Sequence, residues 1–442
     1  MMKLTIKRYD EYKDSEVELI GEMPDDWGVK RVEDVSNVID PQPDHRAPAL
    51  AEGDGYPYIG IRDLNRGGSL NFETARKVEL SAVEKQERSF TVISGDILFC
   101  KVGTLGEPRI IVPNGRFALS ATLVLIKTKN KTSNVFLKYA LESSYIVAQI
   151  NYFGSGSTRP ALGIKQIRKL LFTNPSFPEQ RAIANYLNTK TAQIDRKIDL
   201  LTQKADKYGE LKQSLINETV TRGLDKTAVM KDSGVEWVGE VPEHWKLSAV
   251  TNITSIVSIK NHPEEELLSV YRDYGVIIKN TRDDNHNKAG QDLSTYKLVE
   301  PGFLVINKMK TWQGSLGMSE YRGIVSPAYI TCKTDRKVVE RSYLHHLLRC
   351  RNYINEYNRL SYGVRVDQWD MRYDDFKYVP VLLPPMEEQK AIADYLDTKT
   401  EQIDRIIETI NTQIEKLKEL RKTLINDVVT GRIKVYQEGE AV

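Results

Sequence analysis

The sequence predicts an α+β protein built twice over. Two globular domains are separated by two long helices, which form an antiparallel coiled coil with a pseudo-two-fold internal repeat. Residues 180–195 (QRAIANYLNTKTAQID) return as residues 389–404 (QKAIADYLDTKTEQID), an offset of 209 that holds without a gap as far as Leu215-Ile-Asn217 and Leu424-Ile-Asn426. Residues 13–27 (KDSEVELIGEMPDDW) return as residues 231–245 (KDSGVEWVGEVPEHW) at an offset of 218. The helical segments therefore keep their length while the segments between the landmarks drift, and the order is variable domain, helix, variable domain, helix.

Each repeated segment opens after a proline, Pro178 or Pro384-Pro385, where helices commonly begin. Apolar residues then recur every seven positions: Leu187, Ile194, Leu201, Tyr208 and Leu215 in the first copy, Leu396, Ile403, Ile410, Leu417 and Leu424 in the second. A second column, including Ile198 and Ile407, completes the 3–4 alternation of a seam sustained over about four heptads. Gly223 and Gly431 stand where the helices should stop. A helix of roughly 65 Å cannot bury its stripe against one small domain, so the two helices are expected to seal against each other. Because a whole domain intervenes in the chain, an antiparallel pair with the domains at opposite ends is the natural closure.

The variable segments carry short β-rich runs at Tyr56–Ile61, Thr91–Ile93, Asp96–Phe99, Arg109–Val112 and Thr122–Ile126, then Leu267–Tyr271, Gly302–Ile306 and Tyr329–Cys332, punctuated by turn residues. Faint echoes link the halves, such as Lys101 with Lys308, so both domains read as one α+β fold with different surfaces.

Composition narrows the class. The 442 residues are 40% apolar and 28% charged, with 63 Lys and Arg against 61 Asp and Glu, enough for several cores and too mixed for a disordered chain. No run approaches the ~18 apolar residues of a membrane helix, and no secretory signal is evident at the N-terminus. Three cysteines, an odd number without metal-type spacing, argue against a disulfide framework. These features predict a soluble, cytoplasmic protein with no membrane partner. Charge is segregated, however. Residues 101–175 hold 11 Lys and Arg against Glu107 and Glu142, a net of +9, and residues 301–365 hold 11 against four carboxylates, a net of +7. Two equivalent basic regions point to two sites for a polyanion, with nucleic acid the expected partner.

The paired P-x-x-E-Q-[RK]-A-I-A-x-Y-L-x-T-K-T-x-Q-I-D helices and the G-E-[MV]-P-x-x-W lead-ins resemble those of the specificity subunit of type I restriction–modification enzymes, over the whole chain. The resemblance divides it into an N-terminal lead-in (1–21), target-recognition domain 1 (22–177), a central helical region (178–223), a linker (224–239), target-recognition domain 2 (240–384), a C-terminal helical region (385–434) and a tail (435–442). It implies a non-catalytic subunit in a methyltransferase/endonuclease complex. Each domain would read one half of a bipartite target in double-stranded DNA, the helical pair would set the spacing, two modification (methyltransferase) subunits would dock on the helices, and restriction subunits would join through them. S-adenosylmethionine, ATP and Mg would be bound by those partners and no cofactor by this chain.

Expected DNA contacts are Lys101, Ser157, Thr158, Arg159, Lys165, Lys308, Lys310 and Arg365. Phe153-Gly-Ser-Gly-Ser-Thr-Arg159 is a glycine–serine loop ending in a cation, its counterpart is Tyr362-Gly-Val-Arg-Val-Asp-Gln368, and Lys101 and Lys308 follow equivalent strands. Other patterns lead nowhere. Asn174-Pro-Ser-Phe177 resembles the adenine-holding motif of amino-methyltransferases, but its counterpart Leu383-Pro-Pro-Met386 lacks Asn. No Gly-x-x-x-x-Gly-Lys-[Ser/Thr] occurs, the six histidines lack metal-ligand spacing, and the repeated Asp14-Ser15 and Asp232-Ser233 suit polar lead-ins to a docked strand. The competing reading is a coiled-coil scaffold or adaptor without DNA contact, against which the basic segregation argues. Self-association of the isolated chain through its apolar helix faces is also expected.

Overall fold

The computed structural model describes residues 8–44, 46–65, 69–154, 161–281, 290, 292–363 and 369–435. It divides into two compact units, residues 1–200 with 413–442 and residues 201–412.

The first unit runs β1 (Tyr12–Asp14), β2 (Glu22–Pro24), β3 (Gly28–Arg31), α1 (Val32–Val35), β4 (Ser36–Ile39), β5 (Tyr56–Ile59), β6 (Arg76–Val78), α2 (Leu80–Glu87), β7 (Ile97–Cys100), β8 (Gly106–Ile110), β9 (Ala118–Leu119), β10 (Leu123–Thr128), α3 (Asn134–Glu142), α4 (Ser144–Gly154), α5 (Ile164–Arg168), β11 (Leu171–Asn174) and the start of α6 (Phe177–Arg222). Its main sheet is antiparallel in the order β4-β10-β7-β8, with Leu125 opposite Ile39 on one side and Leu98 on the other. The strands Ile97–Cys100 and Leu123–Ile126 are buried on both faces, which is why they read as unbroken apolar runs. Alternation then sorts them: Ile97, Phe99, Val124 and Ile126 pack with α3 and α4, while Leu98, Leu123 and Leu125 pack with Ile59 and Leu119.

The second unit completes α6 and repeats the plan with β12 (Met230–Asp232), β13 (Glu240–Pro242), β14 (Lys246–Ala249), α7 (Val250–Ile253), β15 (Thr254–Val257), β16 (Leu268–Tyr271), β17 (Gly275–Ile278), β18 (Lys297–Val299), β19 (Phe303–Ile306), β20 (Leu316–Met318), β21 (Gly323–Val325), β22 (Ile330–Thr334), α8 (Arg341–Arg349), α9 (Arg351–Leu360), α10 (Tyr373–Phe376), β23 (Pro380–Leu383) and the start of α11 (Met386–Val429). Its sheet order, β15-β22-β19-β20, matches that of the first unit strand for strand.

The expected run at Thr91–Ile93 is not a strand. The Ile93 N–H donates to Asp96 Oδ2 at 2.8 Å and its side chain is 54% exposed, so local turn chemistry outweighs β-propensity.

The long helices pair antiparallel within each unit. In the first, the start of α6 and the end of α11 meet at Trp27, and further along both helices Asp195 lies 3.0 Å from Arg421. In the second, the end of α6 and the start of α11 meet at Trp245, and Lys212 lies 2.7 Å from Asp404. Of the seam residues, Leu187, Leu396, Ile403 and Ile410 are buried. Ile194, Ile198, Leu201, Tyr208, Leu215, Ile407, Leu417 and Leu424 are half-buried, the state expected where two helices alone cover a stripe. Helix ends also close the domain cores. Ile183, Leu187, Ile425 and Val428 join the first core, and Ile216, Val220, Ile392 and Leu396 join the second.

Candidate nucleic-acid interface and helix-end junctions

The doubled sequence motifs build one junction in each unit. In the first, the Trp27 indole N–H donates to Glu179 Oε2 at 3.1 Å, and the Tyr9 hydroxyl donates to Glu179 Oε1 at 2.5 Å. Burial is the main influence that raises the Glu179 carboxyl above its ordinary range, and the neighbouring Asp26 adds to it. In the second, the Trp245 indole N–H donates to Glu388 Oε1 at 3.1 Å, and His244 lies 2.8 Å from Oε2. Each tryptophan is also closed from the other helix by its terminal glycine. Gly431 has φ +76°, and a methyl there would stand 2.3 Å from Pro24 Cδ; Gly223 has φ +75°, and a methyl there would stand 3.2 Å from Trp245 Cζ2. Both the left-handed backbone and the lack of space require glycine.

The adjacent glutamines hold the next layer. Buried Gln180 accepts the Ser133 N–H at 2.9 Å and donates to Pro175 O at 3.0 Å. Buried Gln389 accepts the Glu340 N–H at 2.8 Å and donates to Pro384 O at 2.9 Å. At the opposite helix ends, Asn426 Oδ1 receives the Ser144 hydroxyl at 2.5 Å, and Asn217 Oδ1 receives the Asn352 N–H at 3.3 Å. The repeated Glu-Gln, Leu-Ile-Asn and Trp positions thus join domains to helix ends.

Several patterns set aside as unrelated to chemistry have structural partners. Asn174 ends β11, and its Oδ1 accepts from Gln180 Nε2 at 3.2 Å. Asp14 and Asp232 accept backbone N–H groups two residues on, closing the lead-in turns. His346 lies 2.7 Å from Asp397 Oδ1. Among the described residues, His262, Glu264 and Glu265 bring possible ligand atoms within 4.8 Å of one another, but Glu265 already receives Arg322 at 2.7 Å.

The basic regions carry less free charge than their sequence windows imply, because carboxylates from outside the windows pair with them. Asp40 takes Lys101, Glu87 takes Arg116 and Asp96 takes Lys127. In the second unit Asp370 takes Lys308, and Glu265 and Glu300 take Arg322. This corrects the expectation for Lys101. Its side chain is 4% exposed, and the ammonium sits 2.6 Å from Asp40 and serves the interior rather than a phosphate. Lys308 is half-buried and 3.4 Å from Asp370. Lys165 on α5 and Lys310 beyond β19 are exposed, and neither side chain has a hydrogen bond or ion pair among the described residues. Ser157, Thr158, Arg159 and Arg365 lie outside the described residues. No helix among the described residues is long and apolar enough to cross a membrane.

Two α+β domains of one topology, each packed against the start of one long helix and the end of the other, define a class that comparison identifies. The family described as "Type I restriction modification DNA specificity domain" matches residues 24–207 and again 242–416. The type I restriction enzyme MjaVIII specificity subunit of Methanocaldococcus jannaschii is 24% identical, over 93% of this chain and 94% of its own length. The EcoKI specificity subunit of Escherichia coli is 21% identical over 44% of each chain. A chain solved in work on complex assembly and conformational transition of the type I R-M system has the same fold, with a TM-score of 0.66 at 18% identity, over 93% of this chain and 99% of that one. The chain belongs to the type I restriction–modification DNA specificity family.

Proposed function

We propose that this chain is the DNA sequence-specificity subunit of a type I restriction–modification complex. Each recognition domain reads one half of a bipartite target through groove contacts, while exposed cations hold phosphates without regard to sequence. The coiled coil fixes the gap between the half-sites, since its length follows from residue count. Two methyltransferase subunits dock on the helical pair and restriction subunits join through them, within the cytoplasm. The chain itself carries out no catalysis, and S-adenosylmethionine, ATP and Mg are bound by its partners.

The observation that carries this reading is the family match in both halves, together with the duplicated junctions at Trp27–Glu179 and Trp245–Glu388. The test is to express the chain with its methyltransferase partner and map methylated adenines across the host DNA. Methylation confined to a two-part sequence with an unread gap supports the proposal. Methylation without sequence preference, or no DNA binding by the assembled complex, favours the scaffold reading.

A further inference from the structure

A groove of about 720 Å³ opens in the second unit beside the end of β16 and the turn that follows β19. Buried Ser269 and Asn307 line it together with half-buried Tyr271, Tyr296 and Tyr329. Half-buried Lys279 and Gln313 and exposed Lys310 also line it.

The turn carrying Lys310 and Gln313 is held rigidly. Buried Thr311 donates its hydroxyl to Asn307 O at 2.8 Å, and the Asn307 N–H donates to Ser315 O at 3.0 Å. Gly314 closes the turn at φ +90°, so near α9 that an added methyl would stand 2.8 Å from Ile354 Cδ1. On this fixed base, the side chains of Lys310 and Gln313 have no hydrogen bond or ion pair among the described residues. A surface turn with no role beyond connection gains nothing from being locked so firmly while it presents a free cation and a free amide.

The surroundings are electropositive. Arg272, Lys279 and Lys310 line the groove with one carboxylate, Asp273, and the Lys297 ammonium, held below the usual lysine range by burial and then by Lys260 and Lys308, donates to the backbone carbonyl of Tyr329, another lining residue. Of the nearby carboxylates, Asp273, which lines the groove, pairs with Arg272 at 3.0 Å, and Asp370 pairs through Oδ2 with Lys308 at 3.4 Å. In the first unit the equivalent strand end has Lys101 turned inward onto Asp40, followed by Val102-Gly103-Thr104, with neither a free cation nor an amide. Two domains that share a fold thus differ at one strand end in the residue types that read DNA.

We infer that Lys310 and Gln313 are specificity-surface residues of the second domain, Lys310 holding a phosphate of duplex DNA and the Gln313 amide reading an adenine edge in the major groove. This rests on the proposed function. The residue types divide the work: a cation binds phosphate whatever the sequence, whereas the glutamine amide matches the donor and acceptor that adenine presents in that groove.

The test uses the complex of the full chain with its methyltransferase subunits. Binding to its mapped target is measured over a salt series, and methylated adenines are mapped for each variant. Lys310→Ala should weaken binding and lower the salt slope by about 1 without altering the methylated sequence. Gln313→Ala should relax one base of one half-site, reducing discrimination there by roughly 5- to 100-fold. Neither side chain has a bond among the described residues, so both variants should melt with the native chain, and Gln313→Glu provides a second readout if Gln313→Ala does not. Wild-type affinity, salt slope and sequence in all three variants would overturn the inference, as would weaker binding by the Gln313 variants with an unaltered sequence. A native complex that itself shows no sequence preference would instead defeat the proposed function.

Discussion

Lys212 and Asp404 lie 2.7 Å apart in the second unit. Arg421 and Asp195, the residues 209 positions from each, lie 3.0 Å apart in the first. One ion pair is therefore made twice, each time between the two long helices, and it fixes their mutual register from both repeats. The partners are partly exposed, so each pair contributes only about 0.2–1 kcal/mol. Asp404→Lys should lower stability by about that amount through like-charge contact, and Lys212→Asp combined with Asp404→Lys should recover most of it. A double-mutant cycle in urea, repeated at high salt, measures the coupling, which should shrink as salt rises.

Gln389 should matter more than either ion pair. It is buried, and its amide satisfies the N–H of Glu340, the residue capping α8, together with two backbone carbonyls. Gln389→Ala leaves those groups without partners and opens space beside the core, for a loss of about 2 kcal/mol or more. Gln180→Ala should cost about as much in the first unit, because Gln180 bonds Ser133 and Pro175 in the same way. Urea unfolding of each variant should shift one unit's transition while the other unit's holds.

How much of this was legible in the sequence follows from the range over which each interaction acts. The helices are local, periodic objects, so the runs ending at Gly223 and Gly431 were readable to within a few residues, as were the strands whose both faces are buried. The repeated Trp, Glu and Gln were visible as a pattern without a purpose, because Trp27 and Glu179 meet only after a whole domain has folded between them. Free charge is hidden for the same reason: Lys101, Arg116 and Lys127 pair with Asp40, Glu87 and Asp96, which all lie outside the stretch that holds the cations. Lys310 is marked in the sequence by its place two residues after Lys308, but nothing local marks Gln313, whose rigid presentation depends on Gly314 closing against α9.

Acid titration should report on the Trp27 junction. The folded-state value of Glu179 is raised, chiefly by burial, so the folded protein holds that proton more tightly than the unfolded chain. As pH climbs from the ordinary carboxylate range, near 4.5, through the raised value, the unfolded chain ionises first and this junction loses stability. Glu179→Gln cannot ionise and should lack that component. The difference in unfolding free energy between the native chain and Glu179→Gln, followed upward from pH 4, should change in favour of the variant and then level off. A difference that does not vary with pH would show that the carboxyl is not held in this way.

The most direct test of the central claim lengthens the helical pair. One heptad inserted into α6 and one at the matching level of α11 preserve the antiparallel seam and add roughly 10 Å of helix. Mapping methylated adenines in cells expressing this variant with its methyltransferase partner should return the same two half-site sequences with a wider unread gap, by about three base pairs at a rise of 3.4 Å each. The original gap, retained with undiminished methylation, would contradict the claim that the helices set the spacing.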